Sequence, residues 1–100
     1  MISRHWRALA RTERAHEYVV HLQQKTIPSL HKLPGFLGAT ILRRDQSQGV
    51  EFVIVTNWMS AEAIRAFVDG PDLEAAVVPA EVREMMLEYD SHARHYRVID

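Results

Sequence analysis

Polar and apolar positions alternate with a period of two in four stretches of this chain, and recur every three or four residues in two others. Four strands and two principal helices are therefore expected, in the order β-α-β-β-α-β. The first strand, residues 2–9, sets Ile2, Arg4, Trp6 and Ala8 on one face and Ser3, His5, Arg7 and Leu9 on the other. From Thr12, an expected N-cap, the positions Ala15, Tyr18, Val19, Leu22 and Thr26 follow the spacing of one buried helical stripe, leaving His16, Glu17, His21 and Gln24 facing outward. Pro28 lacks an N–H and disfavours helical geometry at Ile27. A kink or restart is expected there, with Leu30 and Leu33 completing the apolar cover before a Pro34-Gly35 turn.

Residues 36–44 and 50–58 are rich in strand formers, and the short DQSQG link between them predicts an antiparallel hairpin. In the second of these strands Phe52, Ile54, Thr56 and Trp58 share one face; Glu51, Val53, Val55 and Asn57 share the other. Ser60 is placed to cap a helix with Ala63, Ile64, Phe67 and Val68 as its inward stripe, and Asp69-Gly70-Pro71 ends it. Residues 72–90 are read as two short helical pieces, although LEAAVV also suits an extended piece; the second is opened by Pro79 and runs through Val82, Met85 and Met86. Residues 92–99 form the last strand, with His92, Arg94, Tyr96 and Val98 opposite Ala93, His95, Arg97 and Ile99.

Right-handed crossovers turn this order into an α+β, ferredoxin-like sheet of order 4-1-3-2, with both helices on one face. The other face keeps apolar side chains from several strands, and a symmetric homodimer, sheet against sheet, is the simplest way to cover them. A chain of 100 residues makes one domain, 1–100, and buries only about two thirds of its unfolded surface, which also favours a partner subunit.

Composition narrows the function by exclusion. Twelve basic against thirteen acidic residues give a net charge of -1, so no electrostatic footprint for nucleic acid or an anionic membrane is present. Without cysteine there is no thiolate chemistry, disulfide or iron-sulfur ligation, and the chain suits the reducing cytoplasm. No apolar run approaches a membrane span. Six histidines invite a metal, but His16 and His21 do not share a helix face and His92 and His95 have opposite strand parity, so no metal site is expected.

The segments MI...WRA, PGFLG...LRR, EFVIVTNWMS and the closing HYRV resemble the antibiotic biosynthesis monooxygenase (ABM) family of the dimeric α+β barrel superfamily. That resemblance implies a homodimer of ferredoxin-like subunits with a pocket between each sheet and its helices. It also implies chemistry of one of two kinds: oxidation of hydroxylated aromatics to quinones by dioxygen without metal or flavin, or haem degradation. The haem-degrading pattern needs an Asn on the first strand, a Trp late in the helix after the TxWxS motif and a His beyond it. This chain has no Asn in ISRHWRAL, has Phe67 at the Trp position, and has Ala76 or Val77 where the His falls, so haem degradation is disfavoured.

For the quinone-forming kind the chain must orient a ring oxygen and stabilise its anion. The candidates are His95, Arg7 and His5 as catalytic groups, with Trp6, Trp58, Phe67 and Tyr96 binding a small aromatic or quinol compound without a cofactor. Parity puts His95 and Tyr96 on opposite faces, so only one of them enters a given pocket. Plainer roles compete: Trp58 as core packing, Arg7 in a salt bridge to Glu51, and His95 as a strand-end or dimer contact. The rival functions are a non-catalytic dimeric module that binds a small apolar molecule or serves as an accessory domain, and an isomerase or cyclase acting on polyketide-like rings.

Overall fold

Alternation sets the pairing in the computed structural model, which describes residues 1–100. Strand β1 (Ile2–Ala10) lies between β3 (Val50–Trp58) and two short strands, β4 (Met86–Tyr89) and β5 (Arg94–Arg97); β2 (Phe36–Asp45) pairs with β3 at the far edge. Every pairing is antiparallel. The order β2-β3-β1-β4 is the expected 4-1-3-2, read from the other edge. Trp6 stands opposite Ile54 and Arg4 opposite Thr56, so one face carries Arg4, Trp6, Ala8, Phe52, Ile54, Thr56 and Trp58 toward the helices.

The first helix departs from its expected start. Thr12 does not cap it but enters a 3-10 turn, Thr12–Arg14, closed by Arg14 N–H to the Arg11 carbonyl, and α1 (Ala15–His21) follows. Pro28 does not break the helix either. A wider π turn, Leu22–Thr26, carries the Ile27 N–H to the Leu22 carbonyl, and α2 (Ile27–Leu30) continues beyond it. The Ser29 hydroxyl donates to the Lys25 carbonyl, adding a side-chain bond within the turn that carries the proline.

Ser60 caps α3 (Ala61–Ile64), its hydroxyl accepting from Ala63 N–H, and turns bring Phe67 and Val68 onto the sheet. Residues 72–90 hold one helical piece, not two. Ala75 makes an isolated bridge to His92, the chain stays extended to Pro79, and α4 (Ala80–Arg83) is a single turn. Met85 and Met86, expected on that helix, are where the chain re-enters the sheet: Arg11 N–H donates to the Met85 carbonyl, and Met86 pairs with Ala10. The last strand is thus split, with β4 covering Ala8–Ala10 and β5 covering Ile2–His5.

Two apolar clusters hold the sheet to its helices. The larger joins Tyr18 and Leu22 to Ala8, Phe52, Ile54, Val82 and Met86; the smaller gathers Leu30, Ile64 and Val68 around Trp58. No helix is long and apolar enough to cross a membrane.

Candidate functional site

A cavity of about 400 Å³ lies between the clusters, over the middle of the sheet. Its floor is Arg4 and Trp6 of β1 with Ile54 and Thr56 of β3. Tyr18, Leu22, Thr26, Ser29, Leu30 and Leu33 form the wall on the first helix; Ala66, Phe67, Val77 and Val82 close the far side. That volume suits a small organic ligand, and the lining is the usual mixture of apolar walls and a few polar groups. Burial pushes the Tyr18 phenol up, so it stays neutral.

Arg4 is the charged residue inside. It is only 4% exposed, and alternation places it on the face it shares with Trp6. Nη1 donates to the Leu73 carbonyl at 2.7 Å, Nη2 donates to the Ala75 carbonyl at 2.9 Å, and Nη1 also lies 2.7 Å from His95 Nε2. Arginine only donates, so His95 accepts on Nε2 and carries its ring proton on Nδ1. Burial, and then the Arg4 charge, hold His95 below its ordinary value of 6.5, which keeps it a neutral acceptor. Burial lowers Arg4 itself from its ordinary value to about 10, still charged at neutral pH. The Phe67 ring centroid lies 5.6 Å from the guanidinium carbon.

At the mouth, His21 and Lys25 of the first helix meet Glu81 of α4, with His21 Nδ1 at 3.8 Å and Lys25 Nζ at 3.6 Å from its carboxylate. His21 was expected to face solvent; its side chain is 9% exposed because α4 and its approach fold over it. No three His, Asp or Glu side chains converge where an ion could sit.

The cavity reaches some of the residues singled out in the sequence and not others. Trp6 and Phe67 line it. Trp6 also fastens β4's end by donating from Nε1 to the Asp90 carbonyl at 2.7 Å. Trp58 stands behind the wall, fully buried, stacked on Phe67 with centroids 6.0 Å apart and donating from Nε1 to the Thr56 hydroxyl at 3.0 Å. His95 meets the site through Arg4. His5, Arg7 and Tyr96 project from the opposite face, as strand parity requires, and the cavity does not reach them. There Arg7 is tied to Glu51, and His5 lies 2.8 Å from the Ser3 hydroxyl with the Tyr96 ring centroid 5.0 Å away.

Arg4 and His21 are the polar groups that sequence reasoning missed. For Arg4 the signal was present: a cation on the strand face that otherwise carries Trp6 and Ala8 inward must be buried with partners. For His21 there was none, because its cover comes from a segment distant in sequence.

The family model described as antibiotic biosynthesis monooxygenase matches residues 1–78. Among solved structures, a Bacillus cereus protein described as a candidate antibiotic biosynthesis monooxygenase superimposes with a TM-score of 0.64 at 17% identity, over 96% of this chain and 89% of that one. This likeness is one of fold. No curated protein matches the chain.

Proposed function

The chain belongs to the antibiotic biosynthesis monooxygenase family, and from that premise we propose that it is a cofactor-independent monooxygenase oxidising a small aromatic or quinol compound in the cavity. The observation that carries this reading is the buried Arg4 guanidinium at the floor of a cavity walled by Trp6, Phe67 and Tyr18. Such a reaction needs no bound redox group, because the substrate supplies all the electrons. One oxygen atom forms the new carbon–oxygen bond, the other leaves as water with two hydrogens from the substrate, and a dihydroquinone becomes a hydroxyquinone. The slow part is transfer of an electron from an ionised, electron-rich ring to dioxygen.

The protein's contribution is therefore position and field. The aromatic walls hold the ring, and Arg4 anchors an acidic group of the substrate. His95, neutral and accepting from Arg4, is a positioning group for the guanidinium, and becomes a proton acceptor only if that bond opens. The outer face, where His5, Arg7 and Tyr96 lie among half-buried Val53 and Val55 and exposed Leu42, is the proposed surface for a second copy of the chain. With no cysteine and a near-neutral charge, the cytoplasm is its proposed location.

Oxygen uptake by the purified, metal-stripped protein against dihydroquinones and hydroxylated polycyclic aromatics tests the reading. Saturable uptake that falls in Arg4→Met and in His95→Ala supports it. Ligand binding without uptake on any compound moves the assignment to a non-catalytic binding module.

A further inference from the structure

The Arg4 guanidinium has five N–H donors, of which three are engaged: two by the Leu73 and Ala75 carbonyls and one by His95 Nε2. The two left over are Nε–H and one N–H of Nη2, and Nε has no partner in the protein although no buried polar side-chain atom is left unsatisfied, so it opens onto accessible space. Arg4 lines the cavity, which supplies that space. Glu74 and Asp72 offset part of its charge from a distance, but their oxygens hydrogen-bond other groups. Glu74 Oε2 accepts the His95 N–H at 2.9 Å; Asp72 Oδ1 accepts the Glu74 N–H at 3.0 Å, and its Oδ2 lies 3.0 Å from His92 Nε2. At the mouth Lys25 is matched by Glu81. The cavity floor thus carries a cation with two free donors and no carboxylate in direct contact.

We propose that this floor is a carboxylate-binding subsite, and that the ligand is an aromatic monocarboxylic acid whose carboxylate spans the free Nε and Nη2 donors of Arg4 while its ring lies between Trp6 and Phe67. The inference rests on the cavity being the ligand site of the proposed function and narrows its substrate class. A planar carboxylate matches two adjacent guanidinium donors and forms the direct ion pair that Arg4 lacks. A neutral phenol offers one oxygen and leaves the second donor unmatched. A phosphate dianion brings a second negative charge for which the apolar walls hold no free cation.

Calorimetric titration of the wild-type protein with 2-naphthoate, 2-naphthamide and 2-naphthol tests this without relying on any variant. The carboxylate is expected to bind roughly 10- to 100-fold more tightly than either neutral compound, the range set by charge-assisted hydrogen bonds to one guanidinium. Naphthoate is expected to move the Arg4 Nε–H resonance. Arg4→Met should erase the preference, and Arg4→Lys should keep only a small part of it, since a lysine retains the charge without the fork. Equal affinity for the three compounds, naphthoate binding indifferent to Arg4→Met, or no naphthoate binding at millimolar concentration overturns the proposal. Carboxylate-selective binding without oxygen uptake by any hydroxylated aromatic acid sinks the oxygenase reading alone. Uptake on neutral quinols with no preference for acids sinks the subsite alone.

Discussion

Replacing Arg4 by Met should leave the protein folded and within about 2 kcal/mol of wild-type stability, because two opposed effects of similar size disappear together. Burial lowers the guanidinium from its ordinary value to about 10, which corresponds to a penalty of about 3 kcal/mol on the charged form in the folded state. Met fills the same space without that penalty. In the other direction, the Leu73 and Ala75 carbonyls lose their donors; both residues are half-buried, and with water within reach each costs about 1 kcal/mol. The contact with the Phe67 ring is worth about 1 kcal/mol more. A depressed cationic group burdens the fold at every pH below its folded value, and the burden lifts as the pH rises above about 10. The difference between wild type and variant is therefore flat from pH 7 to 9. Urea unfolding of both proteins at equal concentration measures it, the matched concentration guarding against a shift from dimerisation. A loss beyond about 4 kcal/mol, or a variant that does not fold, would refute the reasoning and make Arg4 chiefly a clamp on residues 73–75.

Gly35→Ala should destabilise the fold by roughly 2–4 kcal/mol in the same assay, since Gly35 has a φ of 85° and an added Cβ would stand 2.7 Å from the Ala63 Cβ. Trp58→Ala should cost about 3–5 kcal/mol, the range for a fully buried aromatic, and lower the Tm accordingly; a loss under about 1 kcal/mol would mean the Phe36–Trp58–Phe67 cluster is not a packing centre. His95 is held below 6.5, first by burial and then by Arg4, so the unfolded chain takes up this proton more readily. Its contribution to stability is intact above pH 6.5 and falls as the pH drops below it, and His95→Gln should remove that part of the pH dependence of the urea midpoint. Protonation also turns Nε2 from acceptor to donor and breaks the bond from Arg4, so ligand affinity should change over the same interval.

The hairpin was legible in the sequence because its two strands alternate cleanly and the pairing is local: Val50–Trp58 has the expected bounds, and β2 extends only to Asp45. Strand parity also separated Arg4 and Trp6 from His5 and Arg7, and His95 from Tyr96, but it took the register, Arg4 opposite His95, to join Arg4, Trp6 and His95 on one side. What parity does not reveal is which side faces the helices when both carry mixed side chains, and that choice decides which histidine adjoins the cavity. Residues 72–90 were misread for a different reason. LEAAVV has helical composition, yet Ala76 N–H donates to the Ser91 carbonyl and Ala93 N–H to the Glu74 carbonyl, so long-range pairing overrides local propensity. That extended segment supplies the carbonyls that hold Arg4, and the site was hidden with it.

The central claim is that dioxygen reacts with an aromatic substrate in this cavity without a cofactor. Turnover of a hydroxylated aromatic substrate by metal-stripped protein under ¹⁸O₂, with mass spectrometry of the product, tests it most directly. The account predicts one ¹⁸O atom per product molecule and strongly reduced product with Arg4→Met. Product oxygen drawn only from water, or labelled product formed at the same rate by the Arg4 variant, would contradict it.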